Sequence, residues 1–185
     1  FYLNAVKFHA RPADGELADG QVISTGKVKF EVMHLPGHCF GHCGFFFPEE
    51  GFLFAADIHP AIKPFYAMVD SDVDDFIKSM EKIRRLKPDA LIAGHGRAIN
   101  KDDLQQKLAV YTDEFHRRDG EILKRIREGR HTVREIAEDG ITFDGKFPQP
   151  KSIYLLHECI MDWKHLQRLE RMGEVVCEGE KYYIK

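Results

Sequence analysis

The sequence predicts an α/β protein, because segments with strand periodicity and segments with helix periodicity alternate along its 185 residues. Residues 28–33 alternate apolar and charged side chains, which is the period-two pattern of a half-buried strand. Residues 71–86 place apolar side chains three or four positions apart, which predicts an amphipathic helix. Hydrophobic residues make up 43% and charged residues 31% of the chain, which excludes wholesale disorder and fibrous repeats.

Residues 1–116 are interpreted as the first domain. Ser71 is the predicted N-cap of the helix that ends near Leu86. A second helix is expected to begin near Asn100, and Gly120 interrupts its apolar pattern. Short apolar runs bounded by turn residues predict further strands at residues 21–23, 45–47, 52–55 and 90–93.

Residues 117–185 are interpreted as a second, smaller domain. Thr132 opens a capping-box pattern before a short helix, and Gly173 is the predicted C-cap of a longer helix that begins at Ser152. A hairpin over residues 175–184 follows. Helix, short helix, long helix and hairpin is the element order of a winged-helix domain, whose third helix can enter a DNA groove. The expected inner face of that helix consists of Ile153, Leu156, Ile160, Trp163, Leu166 and Leu169.

The charge of the chain argues mildly against a dedicated nucleic-acid binder. There are 27 Lys and Arg against 30 Asp and Glu, a net charge of −3. Residues 117–185 hold 14 Lys and Arg against 13 Asp and Glu, a net charge of only +1. A packing or substrate-lid role for this segment is therefore favoured over nucleic-acid binding. The side chains that its third helix would present carry both signs: Lys164, His165, Arg168, Arg171, Glu158, Asp162 and Glu170.

Composition also predicts the cellular compartment. Four cysteines in a chain of this length form no disulfide framework, and no signal-peptide pattern is visible. No apolar run approaches the roughly 18 residues that a membrane span requires. We therefore expect a cytoplasmic protein without a membrane partner.

Three residues of metal-ligand type follow buried strands. His38 lies in a glycine-flanked loop after the first long strand, Asp57 follows 19 residues later, and His95 lies between two glycines after another strand. If the three strand ends meet at one edge of a sheet, the three side chains converge. Imidazole and carboxylate suit Zn²⁺, Fe or Mn²⁺, and a carboxylate can bridge two metal ions. Taken singly, a histidine at a strand end is usually a surface or supporting residue, and an aspartate after an apolar strand is usually a helix cap or turn residue.

Three short segments resemble motifs of the metallo-β-lactamase superfamily. Residues 34–42 read H-L-P-G-H-C-F-G-H and resemble the string H-T-P-G-H-T-x-G-H. Residues 52–57 resemble its L-F-x-G-D strand, with Ala56 where glycine is usual. Residues 93–96 resemble its P-G-H-G turn. The resemblance covers about residues 20–115, and the C-terminal segment is similar to the winged-helix domain that follows some hydrolases of this type.

The resemblance implies an αββα sandwich and a hydrolase with two divalent metals, most simply Zn²⁺, with Fe or Mn²⁺ as alternatives. By resemblance, His38 is a ligand of the first metal, Asp57 bridges both, and His95 is a ligand of the second. His34 and His42 match motif positions that do not bind metal, so they are expected to be loop residues that support the ligands. His59 is expected either to face the substrate or to lie in a solvated loop.

The family string H-x-H-x-D-H does not occur in this sequence. We therefore expect the C-terminal part of a metallo-β-lactamase-type domain, which alone binds metal weakly and catalyses little. The phenylalanine-rich strands would leave an apolar face exposed, which predicts a homo-oligomer or association with the missing N-terminal half. The phenylalanines of this predicted face are Phe45, Phe46, Phe47, Phe52 and Phe54.

The predicted function is hydrolysis of an ester, thioester, lactone or related bond in a small molecule. A second hypothesis is a non-catalytic winged-helix binding module with a vestigial hydrolase half. A third hypothesis is a zinc site formed by Cys39 and Cys43 with His38 and His42. It is less favoured because ligands so close together in one loop are crowded. The default interpretation of the two cysteines is that they are small buried thiols.

Overall fold

A computed structural model describes residues 11–185, so the first ten residues of the predicted first domain lie outside the described part. The elements follow one another in the predicted alternation of strands and helices. The strands are β1 (Val22–Ser24), β2 (Lys29–His34), β3 (Cys43–Phe47), β4 (Phe52–Phe54), β5 (Ala90–Ile92), β6 (Ile99–Asn100), β7 (Val175–Glu178) and β8 (Lys181–Ile184). The helices are α1 (Val73–Leu86), α2 (Lys101–Arg127), α3 (Val133–Ala137) and α4 (Lys151–Met172).

Strands β1 to β6 form one mixed sheet in sequence order. Neighbouring strands are antiparallel except β4 and β5, which are parallel and pair Leu53 with Leu91. Helix α1 lies in the connection between these two parallel strands. The α/β prediction is thus confirmed. Strand β6 was not predicted, because two residues carry no periodic signal.

The main hydrophobic core lies between one face of the sheet and helices α1 and α2. Leu53 and Leu91 from the sheet belong to the same buried cluster as Phe76 and Ile83 of α1 and Phe115 of α2. Because strand side chains alternate between faces, every second residue of the central strands points into this core. Phe46 also packs against it, so its predicted place on the opposite, exposed face was wrong.

The opposite face of the sheet carries an aromatic row. Phe45 stacks on Phe54 with ring centroids 6.4 Å apart, and Phe47 stacks on Phe52 at 4.4 Å. Phe30 contacts both Phe45 and Phe47, at 5.3 and 5.4 Å. All five side chains are only half-buried. We refer to these five residues as the aromatic face.

Helix α1 begins one residue later than predicted. Its N-cap is Asp72, whose carboxylate accepts a hydrogen bond from the N–H of Asp75 at 3.1 Å. The hydroxyl of Ser71 donates instead to the main-chain carbonyl of His38. The helix entry therefore contacts the loop that carries His38.

The C-terminal elements have the predicted order of helix, short helix, long helix and hairpin. Helix α2 is continuous, so Gly120 does not interrupt it. The predicted capping box at Thr132 and the left-handed C-cap at Gly173 are confirmed. A second hydrophobic cluster joins the end of α2 to α4 and the hairpin through Ile122, Leu166, Val175 and Tyr182, among others. Among residues 11–185, no helix is long and apolar enough to cross a membrane.

The buried face of helix α4 differs from the predicted one. Ile153, Leu156 and Trp163 are 50%, 59% and 40% exposed. Leu166 and Leu169 are buried as predicted. Polar residues occupy other buried positions of the helix and bond to partners from other elements, and apolar spacing cannot detect such pairing. They are Glu158, Asp162, Lys164, His165 and Arg168.

This orientation corrects two expectations. His165 was expected on the surface but has 0% exposure. Lys164 and Arg168 were expected on a presented helix face, but Lys164 donates to the carbonyl of Val69 at 2.6 Å and Arg168 bonds to Asp74 at 2.7 Å. Two of the cations that would contact phosphates therefore bond to groups within the protein.

Candidate metal centre

The structure brings His38, Asp57 and His95 to one end of the sheet. Asp57 and His95 follow the parallel neighbours β4 and β5, so their main chains leave the sheet at the same edge. One carboxylate oxygen of Asp57 lies 3.4 Å from Nε2 of His95, and the other lies 4.0 Å from Nε2 of His38. The carboxylate thus stands between the two imidazoles, with one oxygen towards each.

The three side chains differ in exposure, so the site is open on one side. The side chain of His38 is 14% exposed, that of Asp57 47% and that of His95 72%. A small molecule can therefore approach from the side of His95, whereas His38 forms the inner wall.

The ring of His38 has a defined orientation. Its Nδ1 lies 2.7 Å from the carbonyl oxygen of Phe65, and a carbonyl only accepts, so Nδ1 carries the proton. The lone pair of Nε2 then faces Asp57. This carbonyl partner was missed from the sequence, because a main-chain oxygen gives no residue signal.

His42 connects the loop of His38 to Asp57. Its Nδ1 donates to the carbonyl of Leu35 at 3.0 Å, and its Nε2 accepts from the main-chain N–H of Asp57 at 3.2 Å. Burial lowers the pKa of His42, which keeps the ring neutral as this pairing requires. His42 supports the candidate ligands without facing solvent.

His59 and His34 bond to main-chain groups of the loops around the site. His59 is buried, so the prediction of a solvated loop position was wrong. Its Nε2 donates to the carbonyl of Arg97 at 3.0 Å, and its Nδ1 accepts from the main-chain N–H of Ala61 at 3.3 Å. It therefore holds the turn that follows His95. His34 bonds through Nε2 to the carbonyl of Phe40 at 2.7 Å, within its own loop.

Two residues have left-handed main chains that shape these loops. Gly37 has a φ of +129°, and a Cβ there would lie 2.3 Å from the Cα of Phe76 on α1. Only glycine fits this close approach. Ala56, directly before Asp57, has a φ of 45°, and its carbonyl accepts from the N–H of Gly94 at 2.7 Å. This bond joins the ends of β4 and β5 beside the candidate ligands.

The donor set suits a divalent transition metal but supplies only part of its coordination shell. Two imidazoles and one carboxylate are ligands typical of Zn²⁺, Fe or Mn²⁺. Within residues 11–185, however, no group of three or more His, Cys, Asp or Glu side chains is arranged to hold a metal ion. This also leaves the Cys39–Cys43 alternative without support. Burial raises the pKa of both thiols, as expected for small, partly buried thiols.

Comparison with known families agrees with these motifs. The profile of the metallo-beta-lactamase superfamily matches residues 3–95, about half of the chain. The chain belongs to this superfamily. It is 29% identical over 131 residues to a hydroxyacylglutathione hydrolase of Cereibacter sphaeroides, which covers 70% of this chain and 51% of the relative. It is 26% identical over 136 residues to the atrochrysone carboxyl ACP thioesterase of Aspergillus fumigatus, which covers 73% of this chain and 42% of the relative.

Solved structures extend the similarity of fold to the C-terminal elements. A beta-lactamase domain protein from Burkholderia ambifaria aligns with 100% of this chain and 56% of its own, with a TM-score of 0.78 and 19% identity. A metallo-beta-lactamase family protein from Thermus thermophilus aligns with 91% of this chain and 54% of its own, with a TM-score of 0.75 and 22% identity. The chain spans about half the length of the relatives it matches.

Proposed function

We propose that this superfamily member is a metal-dependent hydrolase that cleaves an acyl bond, with thioesters as the favoured substrates among esters, thioesters and lactones. The observation that carries the proposal is the carboxylate of Asp57 between Nε2 of His38 and Nε2 of His95. The names of two relatives support the bond type, since one is a thioesterase and the other a hydroxyacylglutathione hydrolase.

Two divalent ions, Zn²⁺ in the first place and Fe or Mn²⁺ otherwise, are the proposed cofactors. His38 and Asp57 would hold one, and Asp57 and His95 the other. Bound metal would supply a water of lowered pKa and positive charge for a developing oxyanion. Because a zinc shell needs about four donors, further donors must complete each shell, and binding by these three residues alone is expected to be weak.

The chain's own residues prepare this site by orientation. The Phe65 carbonyl keeps the proton of His38 on Nδ1 and frees Nε2. His42 fixes the main chain of Asp57, and His59 fixes the turn after His95. These bonds leave the three donor groups directed at one another before any ligand binds, which lowers the cost of ordering them.

The C-terminal elements are proposed to form part of the substrate pocket. A cavity of about 240 Å³ lies beside Phe65 and is lined mainly by apolar and aromatic side chains. The ring of Phe65 lies 6.1 Å from that of His38 and 5.2 Å from that of His157 on α4, so the cavity wall adjoins the candidate ligands. An apolar acyl group fits this lining. The residues around the cavity include Phe65, Phe143, Tyr154, His157 and Met161.

A winged-helix function in nucleic-acid binding is the weaker proposal. The long helix directs Lys164 and Arg168 at partners inside the protein, which leaves few cations for phosphates. The same contacts join α4 to the loop and helix beside the candidate site. They favour a structural or substrate-facing role for these elements.

The test combines metal binding with hydrolysis. Titration calorimetry with Zn²⁺ is expected to show weak binding that is lost in His38→Ala, Asp57→Ala and His95→Ala. His116→Ala, which removes an exposed histidine of α2, should behave as the unchanged chain. Metal-dependent cleavage of an acyl thioester should exceed that of a phosphodiester and disappear with the same three substitutions. Zinc binding that survives all three, or a preference for the phosphodiester, would refute the proposal.

A further inference from the structure

A buried chain of hydrogen bonds connects three elements behind the candidate metal centre. The hydroxyl of Tyr66, in the loop between β4 and α1, lies 2.7 Å from Nε2 of His165 on α4. Nδ1 of His165 lies 2.7 Å from a carboxylate oxygen of Asp119 on α2. Arg118 donates to the Tyr66 hydroxyl at 3.2 Å, and Arg168 donates to the other oxygen of Asp119. All five side chains are buried.

For a neutral His165 ring, the donors and acceptors of this network have one consistent assignment. The Asp119 carboxylate accepts, so Nδ1 of His165 carries the proton and Nε2 accepts from the Tyr66 hydroxyl. The Tyr66 oxygen in turn accepts from Arg118. Burial lowers the pKa of His165 to about 4, so the ring is neutral at neutral pH, as this assignment requires.

This chain of hydrogen bonds ends at Tyr66, one peptide bond from the carbonyl that accepts from His38. Phe65 directly precedes Tyr66, and its carbonyl accepts the Nδ1 proton of His38 at 2.7 Å. Because the peptide unit is planar, anchoring the Tyr66 side chain restricts the direction of the Phe65 carbonyl. The partner that sets the His38 tautomer is thus held from α2 and α4.

Stability alone gives little reason for such a network. Removing charged groups from water is costly, and buried ion pairs can often be replaced by apolar residues without loss of stability. The hydrogen bonds of a buried network do, however, favour one arrangement of the segments that they join. Here those segments are the loop of Tyr66 and helices α2 and α4.

We propose that Tyr66 is a positioning residue for His38. Tyr66 is held by His165 and Asp119 and thereby fixes the Phe65 carbonyl, and this carbonyl fixes the tautomer and ring orientation of His38. The inference rests on the proposed function insofar as His38 is a metal ligand. The tautomer of His38 can nevertheless be measured without metal. The C-terminal helix α4 thereby takes part in the metal centre without contacting it.

The metal-free test is ¹⁵N NMR of the histidine rings in the whole chain. The unchanged protein should hold His38 as the Nδ1–H tautomer. Tyr66→Phe keeps the ring but removes the hydroxyl, and should shift His38 measurably towards the Nε2–H tautomer. His165→Leu should reproduce this shift. His165→Gln should leave the tautomer of His38 unchanged, because the amide oxygen can take the place of Nε2 as acceptor. Tyr111→Phe, which removes another buried hydroxyl of the same core, is the matched control and should leave the tautomer unchanged.

The second readout is the affinity for Zn²⁺. Loss of a group that orients a ligand typically lowers metal affinity about 10-fold or more, and this loss is expected for Tyr66→Phe and His165→Leu but not for His165→Gln or Tyr111→Phe. A folded Tyr66→Phe protein with the unchanged His38 tautomer would overturn the inference. If Tyr66→Phe does not fold, equal tautomers in the two His165 variants would overturn it. A tautomer shift in a protein that binds no zinc would support the positioning role and contradict the proposed metal site.

Discussion

The main-chain N–H of Asp57 donates to Nε2 of His42, so the residue between the two candidate imidazoles is held by a buried histidine. The other ring nitrogen of His42 bonds to Leu35, at the start of the loop that carries His38. One neutral ring therefore fixes the relative position of two candidate ligands that lie 19 residues apart in the sequence.

We expect His42→Phe to destabilise the fold. The substitution keeps a ring of similar size but leaves the Asp57 N–H and the Leu35 carbonyl without partners. An orphaned buried group costs about 1–3 kcal/mol, and the Asp57 N–H is only partly buried, so the free energy of unfolding should fall by about 2–4 kcal/mol in urea titrations. His116→Phe, at an exposed position of α2, should change it by less than about 0.5 kcal/mol. Equal stabilities of the two variants would contradict this assignment.

We expect Ala56→Gly to stabilise the protein. A left-handed main chain costs a residue with a Cβ about 1–2 kcal/mol, and glycine avoids this cost while losing some entropy on folding. The net gain in unfolding free energy should be about 0.5–1 kcal/mol by chemical denaturation. Ala61→Gly, where φ is not positive, should lower it by a similar amount. A loss of stability in Ala56→Gly would show that the methyl group packs well enough to offset the strain.

Asp162 predicts a specific dependence of stability on pH. Arg118 faces two carboxylates, with Glu158 at 2.6 Å and Asp162 at 3.0 Å, and all three side chains are buried. Burial raises the pKa of Asp162 to about 7. Between pH ~4 and ~7 the folded protein therefore holds a proton that the unfolded chain has released, so stability falls as pH rises, by about 1.4 kcal/mol per pH unit.

Asp162→Asn removes this titration and keeps the shape of the protonated acid. The unfolding free energy of the variant, relative to that of the unchanged protein, should therefore rise by about 1.4 kcal/mol per pH unit from pH ~4 to ~7. The histidines contribute equally to the pH dependence of stability in both proteins, so their contributions cancel in this difference. Parallel curves from urea titrations at several pH values would show that Asp162 is ionised throughout this range.

The sequence predicted every strand except β6, the helices and the approach of Asp57 to His95, because these depend on periodicity and on residues that directly follow strands. It did not predict the polar face of α4. Glu158, Asp162 and His165 are buried because partners from the Tyr66 loop and α2 meet them, and such long-range pairing leaves no local pattern. The Phe65 carbonyl was missed for a related reason: every residue has one, so sequence cannot single it out.

Association through the aromatic face remains a prediction. The five residues of the aromatic face are half-buried and stacked on one another, while the other face of the sheet is covered by helices. Contiguous apolar patches of more than a few hundred Å² usually mark an interface, and burying them contributes roughly 25 cal/mol per Å². We expect the chain to cover this face by self-association or by pairing with further strands.

Light scattering can decide whether the aromatic face drives association. The chain has a mass of 21.4 kDa, and we expect a larger particle in solution. Phe47→Lys places a charge where Phe30, Phe47 and Phe52 meet, so it should shift the particle towards the monomer and reduce binding of a hydrophobic dye. Val110→Lys changes an exposed apolar residue of α2 and should leave the particle size unchanged. A monodisperse monomer of the unchanged chain that binds no dye would contradict the prediction, because the aromatic face would then be covered within one chain.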